Sequence, residues 1–179
     1  MRGYRSRSAF KLIEIDKKFK IFNNKKNFLD LGASPGSWTQ VASENIKSGK
    51  ILSVDLKQMK PIDNTSFILG NFIETQVKKN ISNYFNDKID IIVSDMAQNT
   101  TGNKNLDSLI TGELCLDALN FTKDIINKNG FFVSKIFMGS NFKEIIGKAR
   151  NIFKDVKIFK PKSSRKESKE NYIICKNLK

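Results

Sequence analysis

A single lysine lies inside an apolar run in the last third of the chain. Residues 131–138 read Phe-Phe-Val-Ser-Lys-Ile-Phe-Met, with Lys135 as the one charged residue. Burial of an unpaired ammonium costs several kcal/mol, so this side chain needs carboxylates or solvent beside it. The chain contains no histidine, so any general base must be Lys, Asp, Glu, Tyr or Cys. Lys135 is therefore a candidate for proton transfer.

A tight glycine turn is the second feature that could support chemistry. Residues 30–38 read Asp-Leu-Gly-Ala-Ser-Pro-Gly-Ser-Trp, and Gly32 and Gly36 can take positive φ and let a ligand approach the backbone. The pattern is not the G-x-G-x-x-G of dinucleotide sites, and Asp55 follows Gly36 by 19 positions, near the spacing at which an acid binds ribose hydroxyls. A nucleoside without a phosphate, such as S-adenosylmethionine, matches this combination better. The alternative is that the glycines only turn the chain and that Asp55 is a solvated strand end.

Three further residues could complete a pocket around this turn. Ser37 is expected to cap the helix that follows it. Asn71 ends a predicted strand and could hydrogen-bond an adenine edge, although an ordinary Asx turn explains this residue equally well. Trp38 could form a wall of the pocket, but a lone tryptophan on a helix more often packs in the core.

Five segments that end in polar residues indicate a mostly parallel sheet. Each is a short apolar run typical of a strand buried on both faces, and they lie at 27–38, 50–55, 66–71, 88–95 and 130–135. Helix-like stretches occur at 37–47, 75–85, 107–128 and 141–153, and this alternation predicts the α/β class. Two last runs, 156–160 and 171–176, have no helix between them and are expected to pair antiparallel at one edge. No linker or repeat divides the chain, so residues 1–179 are predicted to form one domain.

The carboxyl ends of these strands are the expected place of the functional site. In open parallel sheets, ligands bind beyond the strand ends at this edge. The residues that end the strands are the glycine turn Gly32 to Gly36, then Asp55, Asn71, Asp95 and Lys135. Lys135 is therefore expected at the open mouth of the sheet, beside carboxylates, rather than inside the core.

The composition favours a polyanionic partner. Lysine and arginine number 32 against 18 acidic residues, a formal net charge of +14, which points to nucleic acid, although nucleotide bias could also enrich lysine. No apolar run approaches the ~20 residues of a membrane span, and no signal-peptide pattern opens the chain. Cys115 and Cys175 lie in apolar surroundings and are interpreted as reduced core thiols. Without histidine, no metal site is expected.

Six segments of the chain resemble, in order, the motifs of FtsJ-type (RrmJ-like) ribosomal RNA 2′-O-methyltransferases. They read YRSRSAFKLIEID, DLGASPGSWTQVA, VDLKQM, IIVSDMAQNTTG, FFVSKIF and KPKSSRKESKENY, and they extend from about Arg5 to Cys175. The resemblance implies the Rossmann-like, S-adenosylmethionine-dependent methyltransferase fold, with a seven-stranded, mostly parallel sheet, helices on both faces and an antiparallel edge hairpin. It also implies methylation of a uridine 2′-hydroxyl in large-subunit ribosomal RNA.

The resemblance assigns candidate site residues to this sequence. The family's catalytic Lys-Asp-Lys-Glu set falls on Lys11, Asp95, Lys135 and Glu170. Its cofactor contacts fall on Gly32, Ser34, Pro35, Gly36, Trp38, Asp55, Asn71 and Asp95. Three departures are visible: Asn71 stands where an acid is usual, Gln98 replaces a proline, and the chain starts close to its first motif, without the basic N-terminal extension of many bacterial members.

Within that set, our hypothesis makes Lys135 the general base. A lysine can accept a proton only when it is neutral, and the ordinary lysine pKa of ~10.4 makes this the demanding step. Desolvation and the charge of Lys11 favour the neutral amine, whereas Asp95 and Glu170 favour the ammonium. Asp95 is assigned to orient Lys135, and Lys11 and Glu170 are assigned to position the substrate.

Two basic segments on either side of this set are expected to hold RNA. The first contains Arg2, Arg5, Arg7, Lys11, Lys17, Lys18 and Lys20, on a stretch in which Phe10, Ile13 and Phe19 have helical spacing for packing against the sheet. The second contains Lys154, Lys157, Lys160, Lys162, Arg165, Lys166 and Lys169. Together they could form a phosphate-binding wall around the reacting ribose, whose affinity would fall steeply with salt.

The predicted substrate is ribosomal RNA, within a large ribosomal subunit or its precursor, and the predicted protein is a monomer in the cytoplasm or in an organelle. Three alternatives stay open. One is methylation of nucleotides in the tRNA anticodon loop, by relatives that share the four catalytic residues. The second is a non-catalytic RNA-binding domain that retains the fold. The third, a nicotinamide-dependent oxidoreductase, is disfavoured by the missing third glycine and the basic composition.

Overall fold

The computed structural model describes residues 3–96, 103–139, 141–165 and 167–179. Within them the strands are β1 (Phe28–Leu31), β2 (Ile51–Asp55), β3 (Ser66–Leu69), β4 (Ile89–Ser94), β5 (Ile126–Phe137), β6 (Phe153–Phe159) and β7 (Glu170–Leu178). The helices are α1 (Ala9–Phe19), α2 (Ser37–Asn45), α3 (Thr75–Phe85), α4 (Lys104–Ile125) and α5 (Phe142–Ile152). None of the described helices combines the length and apolarity that a membrane span requires.

The strands form one sheet with the order β3-β2-β1-β4-β5-β7-β6. The first five strands are parallel, and β7 is inserted antiparallel between β5 and β6. The predicted α/β class, parallel sheet and antiparallel edge pair are thus confirmed. The predicted strand at 130–135 is longer than expected: it begins at Ile126, where α4 ends, and its pairing with β4 is shifted near Ile91.

Helices cover both faces of the sheet. On one face, α1 and α2 bury Leu12, Ile15 and Val41 in a cluster with β-strand residues. On the other face, α3, α4 and α5 pack over a second cluster that contains both cysteines. The two thiols are free and buried, as the sequence indicated, and burial raises the pKa of Cys115 to about 12. The two apolar layers leave the strand ends as the place where polar side chains can meet.

Helix α1 differs from the sequence prediction at Phe10, which was expected to be buried against the sheet. Phe10, Ile13 and Phe19 were expected to pack against the sheet. Ile13 and Phe19 are partly buried against the apolar cluster on that face, as predicted, but Phe10 is 43% exposed. The fully covered apolar side chains are Ala9, Leu12 and Ile15, which share a face at the i, i+3 spacing. Burial of that face also turns Lys11 towards the protein interior. The helix therefore buries Lys11 and leaves the larger Phe10 exposed.

Candidate active site

Four elements bring the predicted catalytic residues to one edge of the sheet. Lys11 lies in the first turn of α1, Asp95 follows β4, and Lys135 lies in β5. Glu170 is the first residue of β7, opposite Phe137. Because β7 runs antiparallel to β5, its first residue lies at the edge where the parallel strands end. Strand direction therefore brings Asp95, Lys135 and Glu170 together, and helix α1 adds Lys11.

Lys135 is buried and paired. Its side chain is 9% exposed, and Nζ lies 2.9 Å from Asp95 Oδ1. The same Nζ donates a hydrogen bond of 2.9 Å to the backbone carbonyl of Asp95. Glu170 Oε2 is the next carboxylate oxygen, 3.9 Å away. These contacts explain how an apolar strand can carry an ammonium, because its lost hydration is replaced by oxygens on two sides.

Glu170 joins the two lysines. Its Oε2 accepts a hydrogen bond of 2.9 Å from Lys11 Nζ, and its Oε1 lies 2.7 Å from the same nitrogen in an ion pair. Ser164 Oγ donates to Oε1 at 2.8 Å. Burial raises the pKa of Glu170, but the hydrogen bond and charge of Lys11, the charge of Lys135 and the Ser164 bond outweigh it, and the net pKa is lowered. The group is therefore a carboxylate at neutral pH. Removal of either partner of such a buried pair costs about 3–5 kcal/mol.

Tyr172 completes this arrangement and was missed from the sequence. Its hydroxyl donates to Asp95 Oδ1 at 2.7 Å, the oxygen that Lys135 also contacts. Its ring packs 5.6 Å from the ring of Trp38. Burial, followed by the charges of Asp95 and Glu170, raises the pKa of Tyr172 well above 10, so the phenol stays protonated and acts as a donor. The available signal was period two on a strand, which puts Tyr172 on the same face as Glu170.

The glycine turn and the end of β2 form one unit. Gly32 and Gly36 have φ of 74° and 106°, as predicted for this turn. The backbone N–H of Ser34 donates to Asp55 Oδ2 at 2.9 Å, and the N–H of Lys57 donates to Oδ1 at 2.8 Å. Asp55 is therefore not a merely solvated strand end, because its carboxylate ties the turn to β2.

The prediction that Ser37 caps α2 is wrong. The N-cap residue is Gly36, and Ser37 is the first residue of the helix. Gly36 takes the left-handed conformation that begins this helix, so the serine is placed one position too late to cap it. Ser37 is instead buried, with its hydroxyl 2.7 Å from that of Ser6. This contact joins the N-terminal segment to the turn.

Arg5 also serves this junction rather than forming part of an exposed phosphate-binding wall. The side chain is half-buried, and its guanidinium donates to the carbonyls of Pro35, Lys60 and Pro61 at 3.0, 2.6 and 2.7 Å. A Cβ on Gly36 would lie 2.9 Å from Arg5 Nη1. The absence of a side chain at Gly36 thus makes room for the arginine that holds the loop.

Two roles were predicted for Trp38 and two for Asn71. Trp38 has both of its predicted roles, whereas Asn71 has the more ordinary one. Trp38 is 2% exposed, packs in the core and donates from Nε1 to Ser8 O at 2.9 Å, but it also lines a cavity at the strand ends. Asn71 Oδ1 accepts from the N–H of Ile73 at 3.1 Å, which is an Asx turn. Its contact with an adenine stays a prediction.

A small cavity lies between the glycine turn and the catalytic set. Its lining residues are Ser8, Asp30, Gly32, Ala33, Ser34, Pro35, Trp38 and Asp95. Burial raises the pKa of Asp30 to about 7; the bond from Thr39 opposes this effect, and the charges of Asp95 and Asp55 add to it. Asp30 and Asp95 give the cavity an acidic lining, which suits a cationic ligand. The sulfonium and ammonium of S-adenosylmethionine fit this environment, and the pyrophosphate of a dinucleotide does not.

The other predicted basic residues are distributed unevenly. Arg7, Lys17, Lys18 and Lys20 are exposed near α1, consistent with a solvent-facing cationic surface. Arg2, Lys166 and Gln98 lie outside the described residues. The cationic residues of β6 and of the segment that follows it extend along the edge of the sheet, from its far end towards the active site.

Comparisons with known proteins agree with this geometry. The family model described as FtsJ-like methyltransferase matches residues 4–178. Ribosomal RNA large subunit methyltransferase E of Pelagibacter ubique is 56% identical over 177 residues, which are 99% of this chain and 87% of that protein. The protein of the same name from Rickettsia akari is 43% identical over 99% of this chain and 81% of its own length.

Solved structures show the same fold. A crystal structure of a protein assigned as a ribosomal RNA methyltransferase of Plasmodium falciparum is 38% identical, with a TM-score of 0.87 and 98% coverage of both chains. A Streptococcus mutans protein assigned as a methyltransferase, in complex with SAH, is 12% identical with a TM-score of 0.59, covers 92% of this chain and 97% of its own, and shows the fold alone. The described geometry, the family match and these relatives lead to one conclusion: the chain belongs to the FtsJ-like methyltransferase family.

Proposed function

We propose that this chain transfers a methyl group from S-adenosylmethionine to a uridine 2′-hydroxyl of large-subunit ribosomal RNA. The observation that carries the proposal is the buried set of two ammonium groups and two carboxylates beside an acidic cavity. The relatives named ribosomal RNA large subunit methyltransferase E support the substrate. This substrate implies a cytoplasmic place of action, or an organellar one where ribosomes occur in organelles.

The cofactor would be held by the glycine turn, Trp38, Asp55, Asn71 and Asp95. S-adenosylmethionine supplies an electrophilic methyl group on a positively charged sulfur. The acidic residues around the cavity favour that charge, and the backbone bonds of Asp55 hold the turn in a fixed conformation. A preformed loop of this kind reduces the conformational entropy that the protein loses on binding.

In the proposed reaction, Lys135 Nζ takes the proton of the ribose hydroxyl. It can do so only after its own ammonium has released a proton to solvent. Asp95 holds the amine through two contacts at 2.9 Å, one from the side chain and one from the backbone, so the nitrogen is fixed in direction before the substrate arrives. General base catalysis by a positioned group contributes typically about 10²–10⁴-fold in rate.

Lys11 and Glu170 are assigned to position the ribose and to balance charge. Glu170 pairs with Lys11, and its Oε2 lies 3.9 Å from Lys135 Nζ, so one carboxylate lies between the two ammonium groups. Orientation of hydroxyl and donor within such a rigid set can itself supply several kcal/mol of the barrier reduction.

The test is transfer of a tritiated methyl group from S-adenosylmethionine to three substrates in parallel: large ribosomal subunits, total ribosomal RNA and tRNA. We expect labelling of the ribosomal substrates, at a ribose 2′-oxygen of a uridine. Labelling of tRNA alone would move the substrate to the tRNA branch. The absence of transfer to any RNA, with cofactor binding retained, would favour a non-catalytic RNA-binding domain.

The base assignment is tested separately with Lys135→Ala. We expect near-normal S-adenosylmethionine binding by calorimetry and transfer reduced by about 10²-fold or more. Lys128→Ala is the matched control, because Lys128 is an exposed lysine in the same strand, β5, at its other end. Substantial remaining transfer by Lys135→Ala would remove this residue from the base role.

A further inference from the structure

A groove lies at the end of β6 that is remote from the active site. Its volume is about 340 Å³, and its cationic lining residues are Arg150, Lys154, Lys157 and Lys179. They come from three elements: the last turn of α5, the edge strand β6 and the residue after β7. The backbone N–H of Lys179 donates to Ile152 O at 2.9 Å, which fixes the third element against the first. The groove is thus a built concavity and not a single row of lysines.

Strand register gives the distance of this groove from the catalytic set. Phe153 pairs with Leu178, and Phe159 pairs with Tyr172, which contacts Asp95. Leu178 and Tyr172 are six residue steps apart along β7, which is about 20 Å at ~3.3 Å per residue. Lys157 pairs with Ile174, two residue steps or about 7 Å along the strand from Tyr172, so its expected place in a phosphate-binding wall stays a prediction. Lys154 lies near the far end of β6, five to six residue steps from that level, and is not placed around the ribose.

The cations of the groove lack acidic partners within the described part of the chain. None of the four forms an ion pair within 4.0 Å there. The groove contains one carboxylate, Asp155, and its Oδ2 accepts a hydrogen bond from Asn177 Nδ2 at 2.5 Å. Lysines on an edge strand also discourage edge-to-edge pairing, but that role would require neither an arginine from a helix nor a concave surface.

A continuous basic edge joins the groove to the active site. Lys160, Lys162, Arg165 and Lys169 are exposed along the segment that leads from β6 to Glu170. An RNA whose ribose lies beside Lys135 could therefore follow one edge of the protein down to the groove. Its phosphates would meet positive charge along that path.

We propose that the far end of the groove, lined by Arg150, Lys154 and Lys179, binds the phosphate backbone of the RNA substrate about 15 to 20 Å from the level of Tyr172 in the active site. This inference rests on the proposed function for the identity of the RNA. The groove contributes affinity for an extended RNA and takes no part in methyl transfer itself. The RNA must therefore extend well beyond the target nucleotide to benefit from it.

The test compares a double charge reversal in the groove with a matched reversal elsewhere. The groove variant is Lys154→Glu with Lys179→Glu, two exposed lysines at the far end of the groove. The control is Lys47→Glu with Lys79→Glu, which changes the net charge equally at exposed positions after α2 and on α3. A milder variant, Lys154→Gln with Lys179→Gln, is measured in parallel because it removes the charges without introducing repulsion.

We expect the groove variant to bind a long ribosomal RNA fragment about tenfold or more weakly than the control, with a smaller dependence of affinity on salt. Loss of two phosphate contacts lowers the slope of log K against log salt by about 1.4 to 1.8. KM for the RNA should rise, with kcat and S-adenosylmethionine affinity unchanged. Equal RNA affinity of groove and control variants would overturn the proposal.

A shorter RNA provides a second test of the proposed groove. With a short hairpin that contains only the target, the groove variant should bind and react like the wild-type protein. A difference that persists on the shortest RNA would place these lysines near the ribose and refute the remote site. Failure of the wild-type protein to methylate any RNA would instead count against the proposed function, while the binding comparison would still decide on the groove.

Discussion

Replacement of Asp30 by asparagine should change how stability depends on pH. Asp30 is 1% exposed in β1, and its Oδ2 accepts from Thr39 Oγ1 at 2.7 Å, which also lies 2.7 Å from Ser53 Oγ. Burial is the main cause that raises its pKa from 3.8 to about 7. The folded protein therefore keeps this carboxyl protonated over a pH range in which the unfolded chain has already released the proton.

The direction and the size of this effect on the free energy of unfolding follow from proton linkage. Between pH 3.8 and about 7 the folded state binds more protons at Asp30 than the unfolded state, so a rise in pH lowers stability across this window. The two pKa values differ by about three units, and each unit corresponds to ~1.36 kcal/mol, so the full effect is about 4 kcal/mol. Between pH 5 and pH 8, the free energy of unfolding is expected to fall by about 2 to 3 kcal/mol through this group.

The asparagine side chain cannot ionise, so Asp30→Asn should remove this part of the pH dependence. Urea unfolding at pH 5, 6, 7 and 8 measures the free energy of unfolding of both proteins. We expect the stability of the variant relative to the parent to rise by about 2 to 3 kcal/mol from pH 5 to pH 8, a relative midpoint shift of about 1 to 2 M urea. Asp63→Asn, at an exposed position, controls for the loss of one negative charge. A difference that stays constant with pH would refute the link between burial of Asp30 and folding.

Three further outcomes are expected. Ser164→Ala removes the 2.8 Å bond to Glu170 and should lower methyl transfer about tenfold at unchanged cofactor affinity, with rescue by Ser164→Thr; failure of the threonine to rescue would assign the serine to packing. Gly36→Ala strains a φ of 106° and crowds Arg5, so calorimetry should show S-adenosylmethionine affinity lowered about tenfold, and unchanged affinity would contradict the role of this turn. The two buried thiols should react with a thiol reagent only after unfolding, and rapid labelling of the native protein would contradict their burial.

The parallel strands could be predicted from the sequence, because the same pattern marks each of them. Apolar runs that end in polar residues indicated the parallel strands, and their common direction predicted that Asp95 and Lys135 would meet. The pairing of Lys11 with Glu170 depended on the family resemblance, because no local pattern connects residues 159 positions apart. The single-domain organisation, the monomeric state and the roles of the site residues stay predictions.

The errors arose where tertiary contacts override local patterns. Phe10 was expected to be buried because it is large and apolar, but the packing of α1 is set by smaller residues and by the inward Lys11. Arg5 was grouped with phosphate-binding residues because it is positive, yet three backbone carbonyls surround its guanidinium. Tyr172 was overlooked because its hydroxyl partner, Asp95, follows a strand 77 positions earlier.

The insertion of β7 between β5 and β6 has a consequence for the nascent chain during synthesis. Glu170 and Tyr172 leave the ribosomal exit tunnel after every other strand of the sheet, and β6 has no neighbour in the sheet until β7 arrives. A nascent chain that ends before β7 therefore carries Lys135 and Asp95 without the residues that complete their surroundings. The set of two lysines and two carboxylates is therefore complete only after that strand has been translated.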